Sequence, residues 1–312
     1  MTDRSTMTIA PLARWSSRLA LFSASVMVVA VALHRLTSFP SPVAVNLLLV
    51  GAAGAGLAVL AGLVALMQIW RRGHAGAGKA AFGILLPAAL MAWPLTYVQA
   101  ALNLPRINDV TTDLAAPPRF LTLAKLRTGE ANPAAYPGPR FAQEQQKAYP
   151  DLRTFVVDKG IEEVFDMVED TVRKLKWRVV ASDPPAGKAA RVATLEATDQ
   201  TLVVGFTDDI VVRVEGTPSS ARIDVRSASR YGRADLGQNA LRVRRFLAEL
   251  QVRADTGAPA MVAARRGLRT TRTGAMVTKL KGRDPQKVES RNKRDRAQSS
   301  AQRGRAQKET LR

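Results

Sequence analysis

The sequence predicts a membrane α-helical part with three spans, followed by a soluble α+β domain built on an antiparallel sheet flanked by helices. Three observations predict this. Apolar runs occupy residues 16–33, 43–69 and 80–102, and a bilayer core about 30 Å thick needs roughly 20 helical residues. Ile161, Val164, Phe165, Val168, Val172 and Leu175 recur at helical spacing. Short alternating segments at 177–181, 192–198, 202–206, 210–215 and 223–229 are separated by turn-forming stretches.

Charge follows the same division. Of 46 Lys/Arg and 26 Asp/Glu, residues 1–105 hold seven and one, and residues 251–312 hold 17 and five. The net +20 therefore belongs to the N-terminal flank, the loops and the tail, while the middle of the chain is near neutral. There is no Cys, and both histidines, His34 and His74, lie beside apolar runs. The soluble part therefore lacks the residues for Ser-His-Asp triads, Cys-His dyads, thiolate zinc sites and iron–sulfur clusters. No cofactor is expected.

Residues 1–15 form a flank. Arg4, Arg14 and Arg18 give the first run a basic start, but no small-x-small cleavage pattern follows it, so it reads as a retained helix. The second run, 43–69, exceeds the bilayer thickness and is expected to tilt. In it Gly54, Ala58 and Gly62 repeat every four residues, which allows close helix approach. That face serves either packing among the three helices or homo-oligomerisation. Pro87 and Pro94 are expected to kink the third run. Residues 73–79 fit G-x-x-x-x-G-K, but Ala80 stands where a magnesium-binding Ser/Thr is needed and apolar runs flank both sides. The segment reads as a basic connector rather than a phosphate loop.

Lys/Arg in the short flanks set orientation. Arg35 alone marks the first loop, against Arg71, Arg72 and Lys79 in the second. The rule puts the N-terminus in the cytoplasm and the soluble domain outside, in the periplasm if the membrane is a bacterial inner membrane.

Residues 103–139 carry six prolines and are expected to be an extended stalk or an irregular lead-in. The soluble domain is expected over 140–252, opening with a short helix at 140–148. The helix at 161–175 has acids early and bases late, which suits its dipole. The five strand segments have short connections, hence hairpins. Ile210, Val212 and Val214 share one face, as do Ile223, Val225 and Ser227. If these strands pair across the 216–220 turn, Arg213 is expected to face Asp224 or its neighbours on the exposed face. A final helix begins near Asp235, capped by Asp235 and Gln238. Its apolar face is Leu236, Ala240, Val243, Leu247 and Leu250, with Arg242 and Arg245 pointing away.

Between Trp177 and Phe246 the chain resembles a bacterial family catalogued as domain of unknown function 1499. The resemblance rests on Gly205-Phe-Thr-Asp-Asp-Ile210, Val212-Arg213-Val214 and Ile223-Asp-Val-Arg-Ser-Ala-Ser-Arg230. Gly232, Asp235-Leu-Gly237, Asn239 and Arg242 extend it. It covers roughly residues 105–250 and implies a membrane-attached or exported α+β domain, without a reaction.

The candidate ligand-binding residues are Asp209, Arg213, Asp224, Arg226, Ser227, Ser229, Arg230, Asp235, Asn239 and Arg242. Two readings stay open. One is a buried Asp/Arg network fixing the strand-to-helix crossover, with Asn239 bonding the inward serines. The other is a pocket for an anionic or hydroxylated ligand, with Arg226, Arg230 and Arg242 as donors, in a membrane-anchored module that binds a small ligand or a protein partner in the cell envelope. A third reading, catalysis by Asp208/Asp209 or Asp224, is opposed by geometry, because adjacent strand residues face opposite ways.

Residues 253–312 are basic and polar, a composition of disorder. Outside the cytoplasm such a tail favours anionic lipid headgroups. Nucleic acid becomes its partner only if the tail is cytoplasmic, and it has no aromatic to stack on bases.

Overall fold

The computed structural model describes residues 8–37, 39–186 and 191–256. The expected tail falls, from residue 257 on, outside the described residues. Three helices come first: α1 (Pro11–Leu36), α2 (Ser41–Arg72) and α3 (Ala77–Leu95). Each is long and apolar enough to cross a membrane. They pack on one another as a bundle.

The small residues of α2 determine that packing. Gly51, Ala55, Ala58, Gly62 and Ala65 are buried. Ser16 of α1 donates its hydroxyl to Ala58 O at 2.7 Å and also lies against Gly62 of α2 and Gly83 of α3. Ser23 and Met27 of α1 cover Gly54 and Gly51. The close approach that small residues permit is thus used within the bundle.

The third apolar run is not one helix. Pro87 is accommodated inside α3, but after Pro94 the chain tightens. Thr96 N–H donates to Trp93 O and Tyr97 N–H to Pro94 O, both at 3.1 Å. A separate short helix, α4 (Val98–Asn103), follows. Proline removes a helical donor and clashes with the preceding turn, which explains the break.

The two ends of the bundle differ. Ile9 pairs with Ala75, joining the start of α1 to the α2–α3 loop. At the other end, the last turn of α1 touches the soluble domain (below).

The domain continues as β1 (Asp109–Thr111), α5 (Thr122–Leu126), α6 (Pro139–Ala148), β2 (Phe155–Val157) and α7 (Ile161–Lys174). Then come β3 (Arg178–Asp183), β4 (Val192–Gln200), β5 (Thr207–Gly216), β6 (Ala221–Ser229) and α8 (Gln238–Thr256). The six-stranded antiparallel sheet runs β1-β6-β5-β4-β3, with β2 on the other half of the β6 edge.

The β5–β6 register places Arg213 opposite Asp224, as expected. Ile210, Val212, Val214, Ile223 and Val225 form the main core with the apolar faces of α7 and α8. Burying each such side chain stabilises by about 1.5–3 kcal/mol.

Several expectations need correction. Residues 202–206 form no strand. They are the β4–β5 turn, closed by Thr201 N–H on Phe206 O at 2.9 Å and Gly205 N–H on Thr201 O at 3.1 Å. Their apolar residues reflect position rather than pairing. Residues 103–139 are more than a stalk or lead-in. They contribute β1 and α5, and Ile107, Val110 and Leu123 are wholly buried. Phe120 and Leu123 pack on Val211 and Ala228, so the sheet face read as exposed is covered. The last helix starts at Gln238, not near Asp235, because Leu236 (φ 54°) and Gly237 (φ 82°) are left-handed. Arg242 does not point away from the core: it is buried, held by carboxylates of β4 and β5.

Candidate functional site

Strand alternation separates the six candidate residues on β5 and β6 onto two faces of the sheet. Ser227 and Ser229 point toward α8, while Asp209, Arg213, Asp224 and Arg226 point toward the segment that carries α5.

On the helix side, Asn239 is the hub. Asp235 accepts the Gly237 and Asn239 N–H groups at 2.9 and 2.8 Å, capping the start of α8. This places the Asn239 amide above β6. Its Oδ1 accepts from Ser227 Oγ at 2.7 Å and from Arg242 Nη1 at 2.8 Å. Its Nδ2 donates to Ser229 Oγ and to Asn108 O, each at 3.0 Å. All four capacities of one amide are therefore used. Arg242 also donates Nη2 to Asp208 at 2.7 Å and Nε to Asp199 at 2.9 Å. Burial works against the Arg242 charge, but Asp208 and Asp199 more than reverse this, so its pKa rises. Burial lifts the Asp235 carboxyl above its ordinary range, against the two backbone N–H groups that favour its charged form.

On the other side, Arg226 is 1% exposed. Nε donates to Asp109 Oδ1 at 2.9 Å and Nη2 to Asp109 Oδ2 at 2.7 Å. Nη1 also donates to Pro118 O at 3.1 Å and Nη2 to Ala134 O at 2.9 Å. The guanidinium lies over the Phe120 ring at 4.6 Å and the Tyr136 ring at 5.4 Å. Burial raises the Asp109 carboxyl despite the adjacent Arg226. Burial, then the charge of Asp109, pushes the Tyr136 hydroxyl up to about 12.

Two further clusters share this face. Asp209 accepts from Arg127 Nε and Arg230 Nε, both at 2.8 Å. Asp224 accepts from the Thr112 and Thr154 hydroxyls at 3.1 and 2.6 Å and from Arg213 and Arg222 at 3.0 and 3.2 Å. The Arg213–Asp224 pair is buried on the Asp side, not solvent-facing as its alternation implied. Asp113 bridges Arg213 and Arg222 at 2.8 and 3.0 Å.

The sequence reading missed Asp109, Asp113, Arg127 and Glu196. Glu196 Oε1 accepts the Leu121 and Thr122 N–H groups, and Oε2 accepts Leu123 N–H at 2.6 Å. A carboxylate from β4 thus caps α5, satisfying donors that a helix start leaves free. The polar, β-branched run Asp109-Val-Thr-Thr-Asp113 was the available signal for the first two.

Arg226, Arg230 and Arg242 do not converge. Arg226 and Arg230 face the α5 side and Arg242 the α8 side, each on its own carboxylates. Among the described residues, no group of three or more His, Asp or Glu is placed to hold a metal.

Comparison with known proteins agrees with the resemblance. Residues 109–250 match the family described as "Protein of unknown function (DUF1499)", and the three apolar helices precede the match. No curated protein matches the chain. A crystal structure of the vertebrate conserved region of human METTL16 is similar over 34% of this chain and 85% of that one, with 19% identity. Its TM-score of 0.21 is too low for the likeness to carry an argument.

Proposed function

We propose that this chain, with its DUF1499 match at 109–250, is a membrane-tethered structural module of the cell envelope. Its Asp/Arg/Ser/Asn clusters hold the fold closed rather than receive a ligand. One observation carries this reading: Arg226, Arg230 and Arg242, the three cations suited to an anion, each donate to buried carboxylates of the same domain. An anionic ligand would have to displace a charge-assisted bond already made. Replacing Arg230, the most accessible of the three, by Gln in the intact chain tests it. A clasp loses thermal stability, with no anion needed to reveal the change. Unchanged stability would favour the pocket reading.

On this reading α1–α3 cross the inner membrane, with the N-terminus and the α2–α3 loop in the cytoplasm. Arg14, Arg18, Arg71, Arg72 and Lys79 lie toward that end, against Arg35 at the other. This asymmetry supports a periplasmic domain. The basic tail would add charge attraction to anionic headgroups. A reporter fused after Thr256 tests the orientation: alkaline phosphatase is expected active and green fluorescent protein dark. The reverse pattern would place the domain in the cytoplasm.

A further inference from the structure

The β4–β5 turn carries two apolar residues at its tip. Leu202 is 85% exposed, and Val203 is exposed beside it. Neither pairs in the sheet, and Val203 keeps 36% of its surface exposed.

The turn is nevertheless held in place. Arg35, in the last turn of α1, donates Nη1 to Thr201 O at 3.2 Å and to Leu202 O at 2.7 Å. His34 lies 2.8 Å from Val204 O through Nδ1. A carbonyl only accepts, so that nitrogen carries the proton. The other nitrogen, Nε2, lies 2.9 Å from Ser41 Oγ, at the start of α2. The His34 ring stands edge-on to Phe206 at 5.1 Å, and Phe206 stacks on Tyr231 at 6.0 Å. Two successive α1 residues therefore fix the depth of this turn relative to the helices.

That depth follows from α1. Arg18 and Arg35 are 17 residues apart, about 25 Å along a helix axis. Between them Leu21, Phe22, Val28, Val29 and Leu33 are exposed. A hydrocarbon core about 30 Å thick puts both arginines at its boundaries. The turn that caps Arg35 lies at the same boundary, where Phe206 and Tyr231 are suited to an interfacial position. Leu36, next along, is also exposed.

We infer that the β4–β5 turn is a second membrane contact: Leu202 and Val203 sit among phospholipids at the headgroup–acyl boundary. The contact fixes how the sheet stands on the bilayer. The inference rests on α1–α3 crossing the membrane.

The chain has no Cys, so single labels report cleanly. Leu202→Cys and Ser219→Cys, in separate copies of the full chain, carry a nitroxide in vesicles of phosphatidylethanolamine and phosphatidylglycerol. Ser219 lies in the turn at the far end of β5. The ratio of oxygen to water-soluble nickel-chelate collisions is expected to be several-fold higher at 202 than at 219. Equal ratios, with nickel prevailing at both sites, would overturn the inference. So would collisions low with both reagents at 202, which mean protein covers the turn. Carbonate extraction separates the failures. A chain that stays in the membrane with an aqueous residue 202 defeats only the turn contact, whereas an extracted chain defeats the membrane reading as well.

Discussion

Arg226 grips both oxygens of the Asp109 carboxylate, Nε–Oδ1 at 2.9 Å and Nη2–Oδ2 at 2.7 Å, across 117 residues of sequence. The fork joins the first strand of the domain to the last. It also draws the 113–136 segment over the sheet, because Pro118 O and Ala134 O take two more guanidinium donors. A buried ion pair is often no more stabilising than an apolar pair of the same volume, but removing one partner is costly.

The planar fork is the first point to test. Arg226→Lys keeps the charge but cannot bond both oxygens and two carbonyls at once. It is expected to lower unfolding free energy by about 3 kcal/mol, measured by denaturant titration of the intact chain in detergent. Wild-type stability would show that charge alone suffices.

Asn239→Asp is nearly isosteric yet replaces a donor by an acceptor. Its oxygen would face Asn108 O, which Nδ2 now bonds at 3.0 Å. A loss of about 1–3 kcal/mol is expected at neutral pH. Part of it returns in acid, where the carboxyl protonates and donates again. Equal stability to wild type at pH 7 would contradict a stabilising Nδ2–Asn108 O bond.

Glu196→Gln leaves one oxygen but turns the other acceptor into a donor facing α5. Amide hydrogen exchange of Leu121, Thr122 and Leu123 should speed by about tenfold, as expected for losing roughly 1–2 kcal/mol of capping. Exchange elsewhere in the sheet should change little. Uniform acceleration would place Glu196 in the global core instead.

Asp151 has its pKa lowered by the hydrogen bond from Arg244, whose Nε and Nη2 lie at 2.6 and 2.8 Å. A carboxyl bound more tightly in its charged form contributes stability above its unfolded pKa and loses it as pH falls through the folded value. Asp151→Asn is therefore expected to be slightly less stable than wild type at pH 7. The gap should close as pH falls below the ordinary value of 3.8. The pair is solvent-exposed, so the effect is small. A gap that widens in acid would reverse the assignment.

Much of the fold was legible because it obeys simple periods. The 3.6-residue spacing from Ile161 to Val172 located α7, and alternation placed β5 and β6 in register. The apolar runs located α1–α3, though Pro94 ended the third one early. What sequence could not show was long-range cover. The prolines of 103–139 read as an extended segment because nothing local says that Asp109 will meet a buried arginine far down the chain. The same blindness made the Arg213–Asp224 face look exposed. Residues 202–206 had strand composition, but they sit at a turn beside the end of α1. At the candidate site, the inward serines and Asn239 came together as their positions implied. Arg226 and Arg242, one face apart, did not.

The claim that these charges clamp the fold is tested most directly by a double-mutant cycle on Arg226→Met and Asp109→Leu, read as unfolding free energy of the intact chain. Each single change should cost about 3–5 kcal/mol, and the double change far less than the two together, since neither then strands a buried charge. Single variants as stable as wild type would contradict the clasp and leave Arg226 free for a ligand.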